Sequence, residues 1–101
     1  MKCLSLVVRE STKGELVERL RSIPAVSTYT IFSGEGHSTQ GVQPFESAHD
    51  EVVGYVPRIR IDLVVEAEAV RSVIDSIREL TTPAGKLGTY WISAVDEIGE
   101  L

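Results

Sequence analysis

The sequence of 101 residues is poor in cysteine, which occurs only as Cys3, and it has no long apolar run. A lone cysteine excludes an intramolecular disulfide, so the fold depends on packing. No apolar stretch approaches the roughly 18 residues that a transmembrane helix needs. The N-terminal stretch also lacks the length and the cleavage site of a signal peptide. We therefore expect a cytoplasmic protein without direct membrane insertion.

Basic residues are also scarce, because 10 Lys and Arg stand against 15 Asp and Glu, which gives a formal net charge of −5. A protein that binds a nucleic-acid backbone normally carries a basic surplus, so this balance argues against nucleic acid as a partner. It leaves room for a local basic site that binds one small anion. The length fits a single domain over residues 1–101, with a core small enough to favour oligomerisation.

The periodicity of apolar residues predicts alternating strands and helices. The strands cover residues 2–9, 26–32, 52–65 and 89–95, and the helices run from a Ser11 cap to Pro24 and over residues 67–80. Pro57 should place the start of the third strand on an edge or outside the sheet. The order β-α-β-β-α-β predicts an α+β, ferredoxin-like sandwich with both helices on one side of the sheet.

The other face of this predicted sheet contains apolar residues, for which Val7, Tyr29, Val64 and Trp91 are the candidates. Two helices can cover only one face of the sheet. Because a monomer rarely exposes a large apolar patch, we expect the second face to be buried between subunits.

Residues 33–51 show no period and begin with GEGHSTQG, Gly34 to Gly41. Connections in compact domains are usually about 4–6 residues long, and much longer ones are generally functional or disordered. The glycines allow backbone to approach a ligand, and consecutive N–H groups can form an anion nest. The pattern alone is equally compatible with a mobile loop and incidental glycines.

Two further features could bind an anion. The loop AGKLG, residues 84–88, offers backbone N–H groups and the ammonium of Lys86, although Gly85 could equally be a helix C-cap. Arg58 and Arg60 should share one face of the third strand, where two guanidiniums repel unless an anion or a carboxylate lies between them. Asp62 could be that carboxylate.

The sequence gives little support for a metal site or for a catalytic nucleophile. His37 and His49 are the only histidines, and their spacing matches no short metal motif. The sequence supports no Ser-His-Asp or Cys-His arrangement and no pair of fixed acids. We therefore expect neither a metal site nor an enzyme.

The segment YVPRIRIDLVVEAEAVRSVIDSIREL, residues 55–80, together with TPAGKLG and GEG, resembles the PII signal-transduction family and its divergent PII-like relatives. This resemblance implies a ferredoxin-like homotrimer that binds ADP, AMP or ATP in clefts between subunits. Residues 33–51 would correspond to the family's T-loop, residues 81–88 to its B-loop and residues 96–101 to a short tail. The T-loop would report the bound state to a protein target.

The resemblance also implies which residues bind the nucleotide. Carried over by motif, they are Val7, Thr28, Gly34, Gly36, His37, Ser38, Arg58, Asp62, Val64, Gly85, Lys86 and Gly88. The D-G-K that usually follows the B-loop is missing, and Ser38 replaces the glutamine that helps to hold magnesium. Because fewer cations weaken triphosphate binding most, we expect ADP or AMP to be preferred over ATP, with no cofactor.

PII-like proteins of this compact kind include members linked to carboxysomes and bicarbonate transport. By that resemblance, a small anion such as bicarbonate could bind a set of residues at the loop base, and the target would be a transporter or an enzyme. This set comprises Arg58, Ser38, Thr39, Gln40 and Gly41. The alternative is a divalent-metal-binding trimer of the copper-tolerance type that acts through His37 or His49.

Overall fold

A computed structural model of the chain describes residues 1–38, 54–80 and 86–101. Over these ranges the elements are β1 (Lys2–Arg9), α1 (Lys13–Arg21), β2 (Tyr29–Gly36), β3 (Val56–Val65), α2 (Val70–Arg78) and β4 (Gly88–Ala94). A short 3₁₀ turn precedes each helix, at Glu10–Thr12 and at Ala67–Ala69.

The four strands form one sheet in the order β2-β3-β1-β4, and every neighbouring pair is antiparallel. Two β-α-β units are therefore interleaved, because β3 lies between β1 and β2 while β1 lies between β3 and β4. This arrangement confirms a small α+β fold, compatible with the predicted ferredoxin-like sandwich. None of the helices within the described ranges is long and apolar enough to cross a membrane.

The core lies between the two helices and one face of the sheet. In the register of β1 with β3, Leu4 lies opposite Leu63 and Leu6 lies opposite Ile61. All of these side chains are at most 4% exposed. The helices complete the cluster with Leu16 and Leu20 from α1 and Val70, Val73, Ile74 and Ile77 from α2. Burial of each such side chain contributes about 1.5–3 kcal/mol, so this face provides most of the stability.

The start of α1 differs from the prediction of a Ser11 cap. The helix N-cap is Thr12, and it makes no side-chain capping bond. Its hydroxyl instead donates to the Arg9 carbonyl at 2.7 Å. This hydrogen bond joins the 3₁₀ turn to the last residue of β1. Ser11 lies within that turn, and α1 begins only at Lys13.

The β-branched residues Val26 and Thr28 predict a second strand that begins earlier than the observed one. β2 begins at Tyr29 and continues through Ser33 and the glycines to Gly36, which pairs with Val56. Part of the segment predicted to be a loop is therefore strand. Glycine has a low intrinsic strand propensity, but the ladder that β3 offers decides the outcome here.

Pro57 occupies a local edge, as the sequence predicts. The register of β1 with β3 ends at Arg9 opposite Arg58, so Pro57 has a strand partner only on the β2 side, at Glu35. A missing N–H group is tolerated at such a position. Residues 52 and 53, where the sequence predicts this strand to begin, lie outside the described residues.

We call the sheet face that carries no helices the open face. It carries alternate residues of each strand, among them Phe32 of β2, Arg60 and Val64 of β3, Val7 of β1 and Trp91 of β4. Tyr29 was predicted on this face, but its partner Leu63 places it on the helix side, against the core. Alternation groups Tyr29 with Ile31 but does not say which face of the sheet the two occupy, and the register with β3 decides it.

Candidate functional site

A cleft of about 460 Å³ lies on the open face where β2, β3 and β1 meet, and we call it the Arg58 cleft. Its lining consists of Val7, Phe32, Ser33, Gly34, Glu35, Arg58, Ile59, Arg60 and Asp62. Four of the residues that the resemblance assigned to a nucleotide, Val7, Gly34, Arg58 and Asp62, are thus brought together from three strands. The pairing of β3 with both β1 and β2 does this.

The two glycines of the GEG motif differ in what surrounds them. A Cβ atom at Gly36 would lie 2.1 Å from Arg58 Nε, so the Arg58 side chain occupies the space that glycine leaves there. A Cβ atom at Gly34 would meet nothing within 4 Å. Gly36 therefore positions Arg58, and Gly34 leaves the β2 backbone open to the cleft.

Arg60 and Asp62 form a fixed pair on the wall of the cleft. Arg60 Nε donates to Asp62 Oδ1 at 2.9 Å, and the Arg60 guanidinium carbon lies 5.2 Å from the centre of the Trp91 ring. Asp62 therefore binds Arg60 instead of lying between Arg58 and Arg60, and its charge is already balanced.

The electrostatics of the pair follow from these contacts. Partial burial raises the pKa of Asp62, but hydrogen bonds from Arg60 and Ser5 and the charge of Arg60 outweigh it, so its pKa lies below the usual value. The hydrogen bond to Asp62 raises the pKa of Arg60. Both groups are therefore charged at neutral pH.

Arg9 is a residue of this region that the sequence reasoning missed. The register places it directly opposite Arg58, in the next row of the open face after Val7 and Arg60. Arg9 and Arg58 therefore place two guanidiniums in one row of the open face. Strand alternation through Cys3, Ser5 and Val7 could have identified Arg9, had the pairing with β3 been known.

Other predicted site residues lie away from the Arg58 cleft. Thr28 is exposed just before β2, and Val64 lies opposite Cys3, two rows beyond Arg60 on the open face. His37 follows β2, where its Nε2 and Glu35 Oε1 lie 2.9 Å apart and its ring centre is 5.9 Å from that of Tyr55. Ser38 is exposed beside it. Thr39, Gln40, Gly41 and Gly85 fall outside the described residues.

Lys86 and Gly88 line a different cleft, of about 370 Å³, between α2 and β4. Gly88 has a structural reason to be glycine, because a Cβ atom there would lie 2.2 Å from the Val7 carbonyl oxygen. At the same cleft Arg78 donates to the Tyr90 hydroxyl at 3.4 Å. A hydrogen bond from Arg71 and the charge of Arg78 lower the pKa of Tyr90.

Within the described residues, no three His, Cys, Asp or Glu side chains lie close enough together to hold a metal ion. The pair of His37 and Glu35 is the nearest approach to such a site that the predicted histidines make there. His49 lies in the part of the chain that is not described.

The whole chain, residues 1–101, matches the family model described as "Protein of unknown function (DUF3240)". The chain belongs to the DUF3240 family. It is also similar to a crystal structure of a DUF3240 family protein from Shewanella baltica OS155 at 2.40 Å resolution, with a TM-score of 0.72 and 16% sequence identity. The match covers 99% of this chain and 94% of the other, so the two DUF3240 proteins share the fold along their length.

Proposed function

We propose that this DUF3240 protein is a PII-like regulator that binds an adenine nucleotide without changing it chemically and signals the bound state to a protein target. The observation that carries the proposal is the convergence of Val7, Gly34, Arg58 and Asp62 in one cleft. These residues offer an apolar contact, an open backbone and a cation, which are the groups that a nucleotide requires.

The charges at the cleft favour a ligand with one or two phosphates. Among the charged residues that line the cleft, Arg60 is hydrogen-bonded to Asp62 and Glu35 Oε1 lies 2.9 Å from His37 Nε2, so Arg58 is the cation offered to a ligand. A guanidinium can bind two phosphate oxygens at once, so a single arginine suits a monophosphate or a diphosphate better than a triphosphate. We therefore propose that ADP or AMP is preferred over ATP.

A homotrimer would complete the site. Lys86 and Gly88 line the cleft between α2 and β4, separate from the Arg58 cleft of the same chain. We propose that Lys86 of a neighbouring subunit reaches the phosphates that Arg58 holds. The same assembly would cover the part of the open face around Trp91, a large apolar side chain that is exposed in the single chain.

Signalling would follow from the position of the cleft beside the end of β2. Gly34 faces the ligand, and β2 ends two residues later at Gly36, just before His37 and Ser38. A change of ligand would therefore act on the segment that joins β2 to β3. A small anion such as bicarbonate could bind Arg58 beside the nucleotide, which would link the target, a transporter or an enzyme, to inorganic carbon.

A thermal-shift panel of AMP, ADP and ATP, with and without bicarbonate, tests this proposal, because a bound ligand raises the melting temperature by mass action. Calorimetry on variants then locates the site. Arg58→Ala and Lys86→Ala should each weaken ADP binding by about 1–3 kcal/mol, the scale of a hydrogen bond to a charged group. Arg21→Ala, which removes an exposed arginine from the end of α1, is the matched control. An intact trimer that no adenine nucleotide stabilises would refute the proposal.

The second candidate is a divalent-metal-binding trimer, which the contact of His37 Nε2 with Glu35 Oε1 at 2.9 Å favours. An imidazole and a carboxylate are both ligands that zinc and copper accept. Titration with either metal should then shift the imidazole resonances of His37 or His49. If neither resonance moves, this candidate is eliminated.

A further inference from the structure

Two large aromatic side chains are exposed on the open face, and they differ in what covers them. Trp91 is 41% exposed and Phe32 is 50% exposed. The guanidinium of Arg60 lies over the Trp91 ring. Phe32 is the register partner of Arg60, yet its ring has no cation or aromatic partner among the described residues, because Arg60 bonds to Asp62.

Phe32 also lines the Arg58 cleft. The open face there has two neighbouring rows across β2, β3 and β1. One row is Phe32, Arg60 and Val7, and the other is Gly34, Arg58 and Arg9. Rows two residues apart on one face of a strand are separated by about 6.6 Å. The row that contains Phe32, called the aromatic row, thus lies about one sugar's width from the row that contains Arg58 and Arg9, called the arginine row.

We infer that Phe32 is the platform on which the base of the bound nucleotide stacks. This assignment rests on the proposed function and adds a specificity-determining residue to it. Stacking on an aromatic ring is a general way to hold a base, since every base has a π-face. The phosphate would then reach Arg58 in the next row.

The arrangement selects a class of ligand. An inorganic anion or a small carboxylate could use only the arginine row and would leave Phe32 without a role. A nucleoside without phosphate could use only the aromatic row. A nucleoside monophosphate or diphosphate is the ligand that uses both rows at once, and the fixed Arg60 and Asp62 pair adds no net charge to the wall between them.

Calorimetric titration of the full-length protein with ADP and with pyrophosphate separates the two rows. Phe32→Ala and Phe32→Leu should each weaken ADP binding about tenfold, the lower part of the range for loss of a base–aromatic stack. Phe32→Tyr keeps the ring and should stay within about twofold of the wild type. Pyrophosphate binding should be unchanged in all three variants, whereas Arg58→Ala should weaken both ligands.

The leucine and tyrosine variants distinguish stacking from packing, and sedimentation analysis of each variant reports the oligomeric state. If Phe32→Leu binds ADP like the wild type, or if Phe32→Tyr loses binding as Phe32→Ala does, the platform is refuted. Loss of ADP binding that accompanies dissociation of the oligomer would make Phe32 an interface residue and would also refute it. Wild-type protein that binds no adenine nucleotide at all would instead refute the proposed function itself.

Discussion

The two faces of the sheet are built from the same strands but differ in composition. On the helix side, Leu4 lies opposite Leu63 and Leu6 opposite Ile61, and all four are buried. On the open face, the intervening pairs each contain a charged residue: Ser5 lies opposite Asp62, Val7 opposite Arg60 and Arg9 opposite Arg58.

This difference separates stability from function. Because successive residues of a strand point to opposite faces, selection for packing on one side leaves every second position available for polar chemistry. The aliphatic face explains why the chain folds and says little about its ligand. The open face carries the charges, the exposed aromatics and the Arg58 cleft, so its residues are where specificity should be sought.

The largest effect should come from a cavity on the helix-facing side. Leu63→Ala removes a side chain that is 1% exposed, and we expect unfolding free energy to fall by about 2–5 kcal/mol. Thr30→Ala, on the open face of β2, should change the unfolding free energy by less than about 1 kcal/mol. Urea unfolding at equal protein concentration measures both. Equal losses at the two positions would break the division between the faces.

Gly88→Ala should have the next largest effect. The added Cβ would meet the Val7 carbonyl oxygen, a backbone atom that moves only if β1 and β4 separate. We expect a loss of about 1–3 kcal/mol in unfolding free energy, the usual range for overpacking. Gly34→Ala, which has open space, is the matched control. A wild-type melting temperature for Gly88→Ala would contradict the tight approach of these strands.

Gly36→Ala should act on binding more than on stability. Its Cβ would displace the Arg58 side chain, which is flexible, so the unfolding free energy should fall by less than about 1 kcal/mol. ADP affinity should decrease toward that of Arg58→Ala, as calorimetry would measure. Gly14→Ala, in α1 with no atom within 4 Å, controls for the added methyl group. Unchanged ADP affinity in Gly36→Ala would mean that Arg58 binds from another position.

The smallest effect concerns the pH dependence of the Arg60 and Asp62 pair. Because the pKa of Asp62 is lowered in the folded state, the pair stabilises the protein above the pKa of an unfolded aspartate, about 3.9. That contribution is lost as the pH falls through the lowered folded pKa. Asp62→Asn should therefore lose less stability than the wild type on acidification below about pH 4. Asp75→Asn, on the exposed side of α2, controls for one lost carboxylate, and identical pH profiles for Asp62→Asn and wild type would contradict the pairing.

The sequence predicts well what depends on local periodicity. The bounds of β1 are those that alternation predicts, and the stripe of Val70, Val73, Ile74 and Ile77 forms the buried side of α2. These features follow from repeats of two and 3.6 residues that are complete within one element. The order of elements, and with it the α+β class, follows from them.

What depends on pairing between distant segments could not be predicted. The extension of β2 through Gly34 and Gly36 comes from its ladder with β3, and the face of Tyr29 follows from the same register. Phe32 joins the cleft only when β2 is aligned on β3, and Arg9 comes to lie opposite Arg58 only when β1 is aligned on β3. A shift of one residue in register would have moved either side chain to the other face.

The most direct test of the open face as the ligand site is a map of amide chemical shifts as ADP is added to ¹⁵N-labelled wild-type protein. We predict the largest shifts at Val7, Gly34, Arg58 and Asp62, with those of the helix-facing Leu4 and Ile61 smaller. Shifts that are confined to the cleft between α2 and β4, around Leu80 and Tyr90, or no shifts at saturating ADP, would contradict it.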